Sequence, residues 1–179
     1  MRLTTLPAFA ETDTLNVVIE SPRGSTAKLK FDADQGVMRL SRPLIVGLAY
    51  PCDWGFVPST RGPDGDPIDA FVMWDGTGFS GLVLECRPIG LLRVEQTNRT
   101  SGARERNDRV ATLPISAPRW ASIHTVFDLN ERIRQELERF FLSAVAFEGK
   151  ELQIGGWAGP DEALTLVRAS SHITADARR

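Results

Sequence analysis

The sequence predicts an α+β fold in which short β-strands come first and helices follow. Two observations support this prediction. Short segments rich in β-branched and aromatic residues are separated by Gly, Pro and Asp/Ser clusters, and the hydrophobic period becomes helical only from Asp128 onward. A run of strands followed by helices is typical of α+β proteins. The predicted strands are Leu15–Glu20, Ala27–Asp32, Val37–Leu40, Ala70–Trp74, Leu82–Leu92 and Arg109–Thr112.

Two helices are predicted in the last third of the chain. The segment Asp128-Leu-Asn-Glu131 is similar to a capping box and predicts the first helix start. A second helix is predicted to begin at Gly159-Pro160-Asp161 and to run to about Ser170. The first helix has an apolar face that we expect to pack on the sheet, formed by Ile133, Leu137, Phe140, Phe141 and Ala144.

The composition is that of a single domain covering residues 1–179, with 42% hydrophobic residues. Lys and Arg total 21 against 23 Asp and Glu, and the net charge of −2 favours neither a nucleic-acid partner nor a membrane surface. Cys52 and Cys86 are too few for a disulfide framework and are predicted to be buried thiols. The N-terminal apolar stretch is short and interrupted, and no run approaches the ~20 apolar residues of a membrane span, so we expect a cytoplasmic protein.

The strongest functional signal is an acidic turn, Asp64-Gly-Asp66-Pro-Ile-Asp69. Its three carboxylates lie within six residues and repel one another unless cations lie between them. Gly65 permits unusual backbone angles and Pro67 fixes φ near about −65°, so we predict a tight, rigid turn that leads into a strand from Ile68. Such oxygen ligands suit Mg²⁺, which takes one or two carboxylates and often shares phosphate oxygens.

Two other interpretations of the acidic turn compete with magnesium. An EF-hand calcium loop starting at Asp64 requires Gly at its sixth position and Glu at its twelfth, where Asp69 and Asp75 stand, so the calcium template fails. A solvated turn without a ligand remains open, because Asp, Gly and Pro are common in loops. The flanking sequence favours the metal.

A second motif precedes the turn and reads Tyr50-Pro-Cys-Asp-Trp54-Gly-Phe56, with Arg42 eight residues before Tyr50. Further matching stretches are Val17–Pro22, Lys28–Asp32, Cys86–Leu92, Phe140-Phe141 and Gly156-Trp157. Together with the acidic turn, these stretches resemble the soluble family I inorganic pyrophosphatases over nearly the whole chain. The resemblance implies a small, curved OB-like β-barrel flanked by two C-terminal helices. It also implies a homo-oligomer.

The resemblance implies a role for each matched residue. Asp64, Asp66 and Asp69 would bind the metal, and Asp66 would also act as the general base toward the attacking water. Glu20 would lie at the rim of the site. Phosphate oxygens would be bound by Lys28, Arg42, Tyr50 and Arg109. Structural interpretations stay open beside these roles: core aromatics for Tyr50 and Trp54, a solvated strand face for Lys28 and Lys30, and surface charges for Arg42 and Glu20.

Several positions depart from the family pattern. Lys30 replaces a glutamate, Arg109 replaces a lysine, and Gln96 and Asn107 stand where two aspartates are usual. A Tyr-Lys pair that binds phosphate is replaced by Ala144 and Val145. Glu95 and Asp108 are each one residue away from the expected aspartates, which on a strand means the opposite face.

These departures remove metal ligands and add positive charge. We therefore hypothesise that the site holds one or two metals, with Lys30 and Arg109 standing in for missing cations. The intervening loop, longer than the family's, carries arginines that form either a mobile, anion-attracting lid or an ordinary solvated loop. These arginines are Arg99, Arg104, Arg106 and Arg109.

Three functions are compatible with the sequence. The first is an Mg²⁺-dependent inorganic diphosphatase that hydrolyses pyrophosphate to two phosphates with metal-activated water. The second is a hydrolase of another phosphoanhydride or phosphate ester, since loss of the Tyr-Lys pair would open space for a larger leaving group. The third is a phosphate-binding protein that retains the fold without catalysis. The intact acidic turn favours the first.

Overall fold

The computed structural model describes residues 3–98 and 100–171, and in this part of the chain ten strands and two α-helices form the fold. The helices are α1 (Glu131–Ala144) and α2 (Pro160–Ser170). The strands are β1 (Phe9–Glu11), β2 (Thr14–Ser21), β3 (Ala27–Asp32), β4 (Val37–Pro43), β5 (Asp53–Val57), β6 (Ile68–Val72), β7 (Val83–Thr97), β8 (Arg104–Arg106), β9 (Arg109–Pro114) and β10 (Gln153–Ala158).

Five of the strands close into a barrel. The pairing runs β2, β5, β6, β9, β7 and returns to β2, so each of these strands has a neighbour on both sides. The β6–β9 pair is parallel, whereas the other pairs of the ring are antiparallel. β3 and β4 form a separate hairpin, and β1, β8 and β10 extend the barrel sheet. The predicted α+β, OB-like barrel with two C-terminal helices is confirmed.

The barrel closes because β7 is long and bends. It spans 15 residues and pairs with β2, β9, β10 and β8. Its pairing with β9 shifts register between Pro88 and Gly90, as expected for a bulge that bends a strand. A Cβ on Gly90 would lie 2.5 Å from the carbonyl oxygen of Ala158, so only glycine fits at this crossing.

Helix α1 covers one part of the barrel with an aromatic face. Leu137, Phe140, Phe141 and Ala144 of this helix are buried against barrel residues, as predicted, but Ile133 remains 38% exposed. The inclusion of Ile133 in the apolar face was therefore wrong. Helix α2 buries Ala163 and Val167 in a second cluster on the other strands.

The start of α1 differs from the prediction. Asp128 accepts hydrogen bonds from the backbone of His124 and Thr125, so it completes a capping box for the short 3-10 helix Val126–Asp128. The cap of α1 is Asn130, whose side chain accepts a hydrogen bond from Arg132 N at 2.8 Å. The capping box therefore belongs to the 3-10 helix before α1 rather than to α1 itself.

Most predicted strands are found with small changes at their ends, and the Pro160–Ser170 helix is confirmed. Sequence reasoning missed β1, β5, β8 and β10 and made β7 five residues too short at its C-terminal end, since it ends at Thr97 rather than Leu92. Cys52 and Cys86 are buried free thiols, as predicted. Among the described residues, no helix is long and apolar enough to cross a membrane.

Substitution of Phe71 tests this description of the core. Its ring is fully buried and contacts Phe141 and Trp157, with ring centroids 5.5 and 6.3 Å away. Phe71→Ala should lower the free energy of unfolding by about 3–5 kcal/mol, because it removes apolar burial and leaves a cavity. Phe147, which is 85% exposed, provides the matched control, and Phe147→Ala should stay within about 0.5 kcal/mol. Urea unfolding would measure both, and equal losses would contradict this core assignment.

Candidate active site

The acidic turn is ordered by its own backbone. Gly65 has φ of +85°, the conformation predicted from its lack of a Cβ. The Gly62 N–H donates to the Asp66 carbonyl at 2.8 Å, and the Asp66 N–H donates to Asp64 Oδ1 at 3.1 Å. The strand that follows begins at Ile68, as predicted, so Asp69 occupies its second position. The turn therefore holds its carboxylates on a fixed backbone.

The three aspartates of the turn line one cavity of about 190 Å³, together with Glu20 and Asn107. Three lysines line the same cavity: Lys28, Lys30 and Lys150. They are the only lysines in the chain, whose other basic residues are all arginine. The cavity therefore combines oxygen ligands for a cation with compact, mobile ammonium groups for an anion.

Three carboxyl groups of this cavity, those of Glu20, Asp64 and Asp69, have raised pKa values. Burial raises the pKa of Glu20 to about 7, although the Phe31 N–H that donates to its Oε1 at 2.8 Å opposes the shift. Burial and the negative charge of Asp69 raise the pKa of Asp64 to about 6. Burial also raises the pKa of Asp69, and the nearby cations Lys28 and Arg109 oppose this. Crowded, desolvated carboxylates of this kind gain from a bound cation.

The lysines take different positions among these carboxylates. Lys30 Nζ lies 2.7 Å from Asp66 Oδ2 in an ion pair whose side chains are 48% and 55% exposed. Burial lowers the pKa of Lys28, although Asp69 and Glu20 favour its charged form. Lys30 therefore contacts the acidic turn directly, as the hypothesis of a substitute cation requires.

A second, smaller cavity of about 30 Å³ adjoins the first through Lys28, which lines both. Arg109 is 5% exposed, and its guanidinium carbon lies 4.2 Å from the ring centroid of Phe141 and 5.3 Å from that of Trp54. Burial lowers its pKa to about 10. In the described part of the chain, the buried side-chain nitrogen and oxygen atoms without a hydrogen-bond partner are Trp54 Nε1 and Arg109 Nε and Nη1.

Tyr50 and Arg42 also line the smaller cavity. Tyr50 is 5% exposed, and burial raises its pKa to about 12. The guanidinium of Arg42 donates to the Ala144 carbonyl at 2.6 Å and lies 3.3 Å from Glu148. Arg42 therefore contacts the C-terminal end of α1, where a cation is favourable.

In its described residues, the long loop contains a hairpin in which β8 pairs with the end of β7. Arg104 pairs with Glu95, Arg106 pairs with Asp108, and Arg109 is buried, while Arg99 lies outside the described residues. Asp108 is buried, accepts a hydrogen bond from the Val94 N–H and lines a groove on the other face, together with Glu95. Both acidic residues therefore face away from the cavities, as the register argument predicted.

Sequence reasoning missed Lys150. It follows α1 in a loop without periodicity, and its carbonyl accepts a hydrogen bond from Thr97 N at 2.6 Å, which fixes the loop to the hairpin. The signal that could have found it was composition, since three lysines among 21 basic residues is a low share.

The residues present fit a divalent cation that is only partly enclosed by protein. Among the described residues, no three His, Cys, Asp or Glu side chains are spaced to surround a metal ion. Asp64 and Asp69 nevertheless offer carboxylates beside three lysines that attract phosphate. Mg²⁺ commonly binds in this way, through one or two carboxylates, waters and phosphate oxygens.

The closed barrel carries two adjoining cavities, one with carboxylates suited to a cation and one with guanidinium groups suited to an anion. Residues 17–174 match the family profile described as inorganic pyrophosphatase. An inorganic pyrophosphatase of Synechocystis is 35% identical over 167 residues, covering 93% of this chain and 95% of that protein. One from Streptomyces coelicolor is 37% identical over 156 residues, covering 87% and 92% respectively.

The solved structures agree with these sequence relatives. The crystal structure of the inorganic pyrophosphatase from Thermus thermophilus superposes with a TM-score of 0.87 at 33% identity, covering 95% of this chain and 97% of that one. The Helicobacter pylori inorganic pyrophosphatase gives a TM-score of 0.84 at 28% identity. The chain belongs to the inorganic pyrophosphatase family.

Glu20 provides a pH-dependent test of the buried carboxyl groups. Its folded-state pKa, about 7, lies above the unfolded value of 4.5, so the folded protein retains a proton that the unfolded chain releases. Stability should therefore fall as pH rises from about 4.5 to 7. Glu20→Gln keeps an acceptor for Phe31 N and removes this proton, so it should gain on wild type by on the order of 1–3 kcal/mol across that window. Urea unfolding with a chelator present measures the difference, and parallel curves would contradict the assignment.

Proposed function

We propose that this protein is an Mg²⁺-dependent inorganic diphosphatase that hydrolyses pyrophosphate to two phosphates. Its membership of the inorganic pyrophosphatase family and the adjoining acidic and cationic cavities support this function. A homo-oligomeric state and a cytoplasmic location remain predictions from the sequence.

The observation that carries the proposal is the set of unpartnered donors around Arg109. A buried cation without a hydrogen-bond partner is costly, and proteins retain such groups where a ligand completes them. Arg109 Nε and Nη1 and Trp54 Nε1 are three such donors beside one cavity. Phosphate oxygens are acceptors of the size and charge that these donors require.

The two cavities contact different parts of the substrate. Arg109, Lys28 and Tyr50 contact an oxygen of one phosphate group at the smaller cavity, while Lys28, shared by both cavities, and Lys150 contact the other phosphate group in the larger cavity. Arg42 lines the smaller cavity and would add a further phosphate contact on leaving the Ala144 carbonyl. This arrangement spreads positive charge along the anion and orients its bridging oxygen toward the acidic turn.

The acidic turn supports the attack by water. Asp64 and Asp69 would hold the cation, which would supply a lowered pKa for the attacking water and neutralise phosphate charge. Asp66, at 55% side-chain exposure, is open to solvent and accepts the proton of the attacking water. Lys30 orients the Asp66 carboxylate through their ion pair, and Glu20 lies at the rim of the same cavity.

The small volume beside Ala144 and Val145 argues against a larger substrate. The cavity that these residues line measures about 30 Å³, because Phe140 and Phe141 fill the space beside them. It has room for a water molecule or a phosphate oxygen rather than for a bulky leaving group. The proposal that replacement of the Tyr-Lys pair opens the site is therefore not supported at this position.

Phosphate release from pyrophosphate tests the proposed function directly. Wild type should release phosphate when Mg²⁺ is added and should stop when the metal is chelated. Asp66→Asn should lower kcat by ~10²–10⁴-fold, because it removes the proton acceptor. The control is Asp34→Asn, at an exposed position in the β3–β4 turn, which should match wild type. Binding of pyrophosphate without turnover at any metal concentration would contradict the catalytic proposal and favour a phosphate-binding role.

Arg109 should reveal a conflict between function and stability. Arg109→Met fills a similar volume with an apolar chain and removes a buried, unpartnered cation, so it should raise the free energy of unfolding by about 1 kcal/mol. The same change should lower kcat/KM for pyrophosphate by ~10²-fold or more. Arg139→Met, on the exposed face of α1, should change neither quantity. Unfolding and steady-state assays measure both, and loss of stability with full activity would contradict the assignment.

A further inference from the structure

Lys150 reaches the larger site cavity from the loop between α1 and β10. Its side chain lines that cavity together with Lys28 and Lys30, which lie on β3. Lys30 pairs with Asp66, whereas Lys150 forms no ion pair with any of the residues that the structure describes. An ammonium group without a carboxylate partner is available to an anion that enters the cavity.

The backbone on both sides of Lys150 adopts left-handed conformations. Gly149 has a φ of +65°, and Glu151 has a φ of +39°. Glycine adopts this region freely, but a residue with a Cβ is strained there and persists only where its surroundings hold it. The contacts made by this segment therefore determine where the Lys150 side chain lies.

The end of β7 and one residue of β8 supply these contacts. The Thr97 N–H donates to the Lys150 carbonyl at 2.6 Å, which continues the β7–β10 pairing beyond Gln153. Arg104 is paired opposite Thr97 in the β7–β8 ladder. Its Nη1 donates to the Glu151 carbonyl at 2.7 Å and to Thr97 Oγ1 at 3.3 Å. The Arg104 side chain thus crosses β7 and holds the strained residue next to Lys150.

Arg104 itself lies on the face of the hairpin that points away from the site. Arg106, two residues later and therefore on the same face of β8, lines the outer groove. The Arg104 guanidinium lies 3.8 Å from Glu95, which lines that groove as well. The described residues that line the two site cavities do not include Arg104. Arg104 can therefore act on a bound substrate only through the loop.

We propose that Arg104 is a positioning residue for pyrophosphate, which holds Lys150 in the cavity by fixing the Glu151 carbonyl. This inference rests on the proposed function, in which Lys150 contacts a phosphate group. It gives the arginine-bearing loop a role other than that of a lid, because Arg104 fixes the position of another residue's charge. Preorganisation of a flexible lysine lowers the entropy cost of binding.

Calorimetric titration with pyrophosphate, with a chelator present so that no hydrolysis occurs, tests the assignment. Lys150→Met should raise the dissociation constant by about 10–100-fold, because it removes a charge-assisted hydrogen bond. Arg104→Met leaves the ammonium in the chain but releases its loop, so it should raise the constant by about 2–10-fold. Arg119→Met is the matched control, since it removes the same charge from an exposed ion pair with Asp75 outside both cavities. It should bind pyrophosphate as wild type does.

Two further measurements separate positioning from a general loss of stability. If Arg104 acts through Lys150, Arg104→Met should have no further effect once Lys150 is replaced by Met, whereas independent effects would multiply. In steady-state assays with Mg²⁺, Arg104→Met should raise KM and leave kcat within about 2-fold, since it weakens binding of substrate and transition state alike. A partly unfolded protein would lose kcat at unchanged KM, which would contradict the assignment.

The outcomes also separate this inference from the function on which it rests. Weaker binding in Arg104→Met, absent from Arg119→Met and from the Lys150→Met background, supports the assignment. Wild-type affinity in Lys150→Met or in Arg104→Met overturns it, as do effects that multiply in the double variant. Where wild type binds only with Mg²⁺, the KM values of the same variants decide. A wild type that binds pyrophosphate without hydrolysing it overturns the catalytic proposal, and the dissociation constants still decide the role of Arg104. A wild type that does not bind pyrophosphate with or without metal overturns both.

Discussion

The pairing of β7 around the barrel is the constraint on which the rest of the structure depends. This strand pairs with β2 along its first part and with β9 along its middle, and these two pairings close the ring. Closure places β9 beside β6 in parallel, with Ala70 opposite Val110. Asp69 and Arg109, each one residue earlier, are thereby brought to the same end of neighbouring strands. The acidic and cationic cavities meet because the barrel closes in this register.

The site contains buried charged side chains whose burial is unfavourable for folding. Arg109 is stacked on Phe141 and Trp54, and stacking on an aromatic face recovers part of the cost of removing a guanidinium from water. The remaining cost is visible in unpartnered donors and in carboxyl groups with raised pKa values. A ligand of opposite charge lowers all of these costs together, so metal and phosphate should favour each other's binding. We therefore expect this region to be less stable without its ligands than with them.

The sequence was most informative where chemistry and local structure coincide. Gly65 and Pro67 predicted the acidic turn because both act through the backbone, independently of distant contacts. Strand β5 was missed because all five of its residues are buried and show no alternation, and β10 because it contains Gly155 and Gly156. Lys150 could not be placed in the cavity from sequence, since its position depends on a hydrogen bond to a hairpin more than 50 residues earlier. Long-range contacts of this kind produce no periodic pattern in the sequence.

The departures from the family pattern are best understood as a rearrangement of charge. Lys30 introduces a cation into the acidic turn and pairs with Asp66, so one carboxylate is partly neutralised without a metal. The hairpin carries a glutamate, Glu105, whose carboxylate accepts hydrogen bonds from the side-chain amides of Gln96 and Asn98. An ammonium carries one charge and cannot activate water, whereas a divalent cation can do so. The fixed charge of Lys30 would therefore lower the number of metals that the site requires, and Asp64 and Asp69 would hold the metal that the proposed hydrolysis still needs.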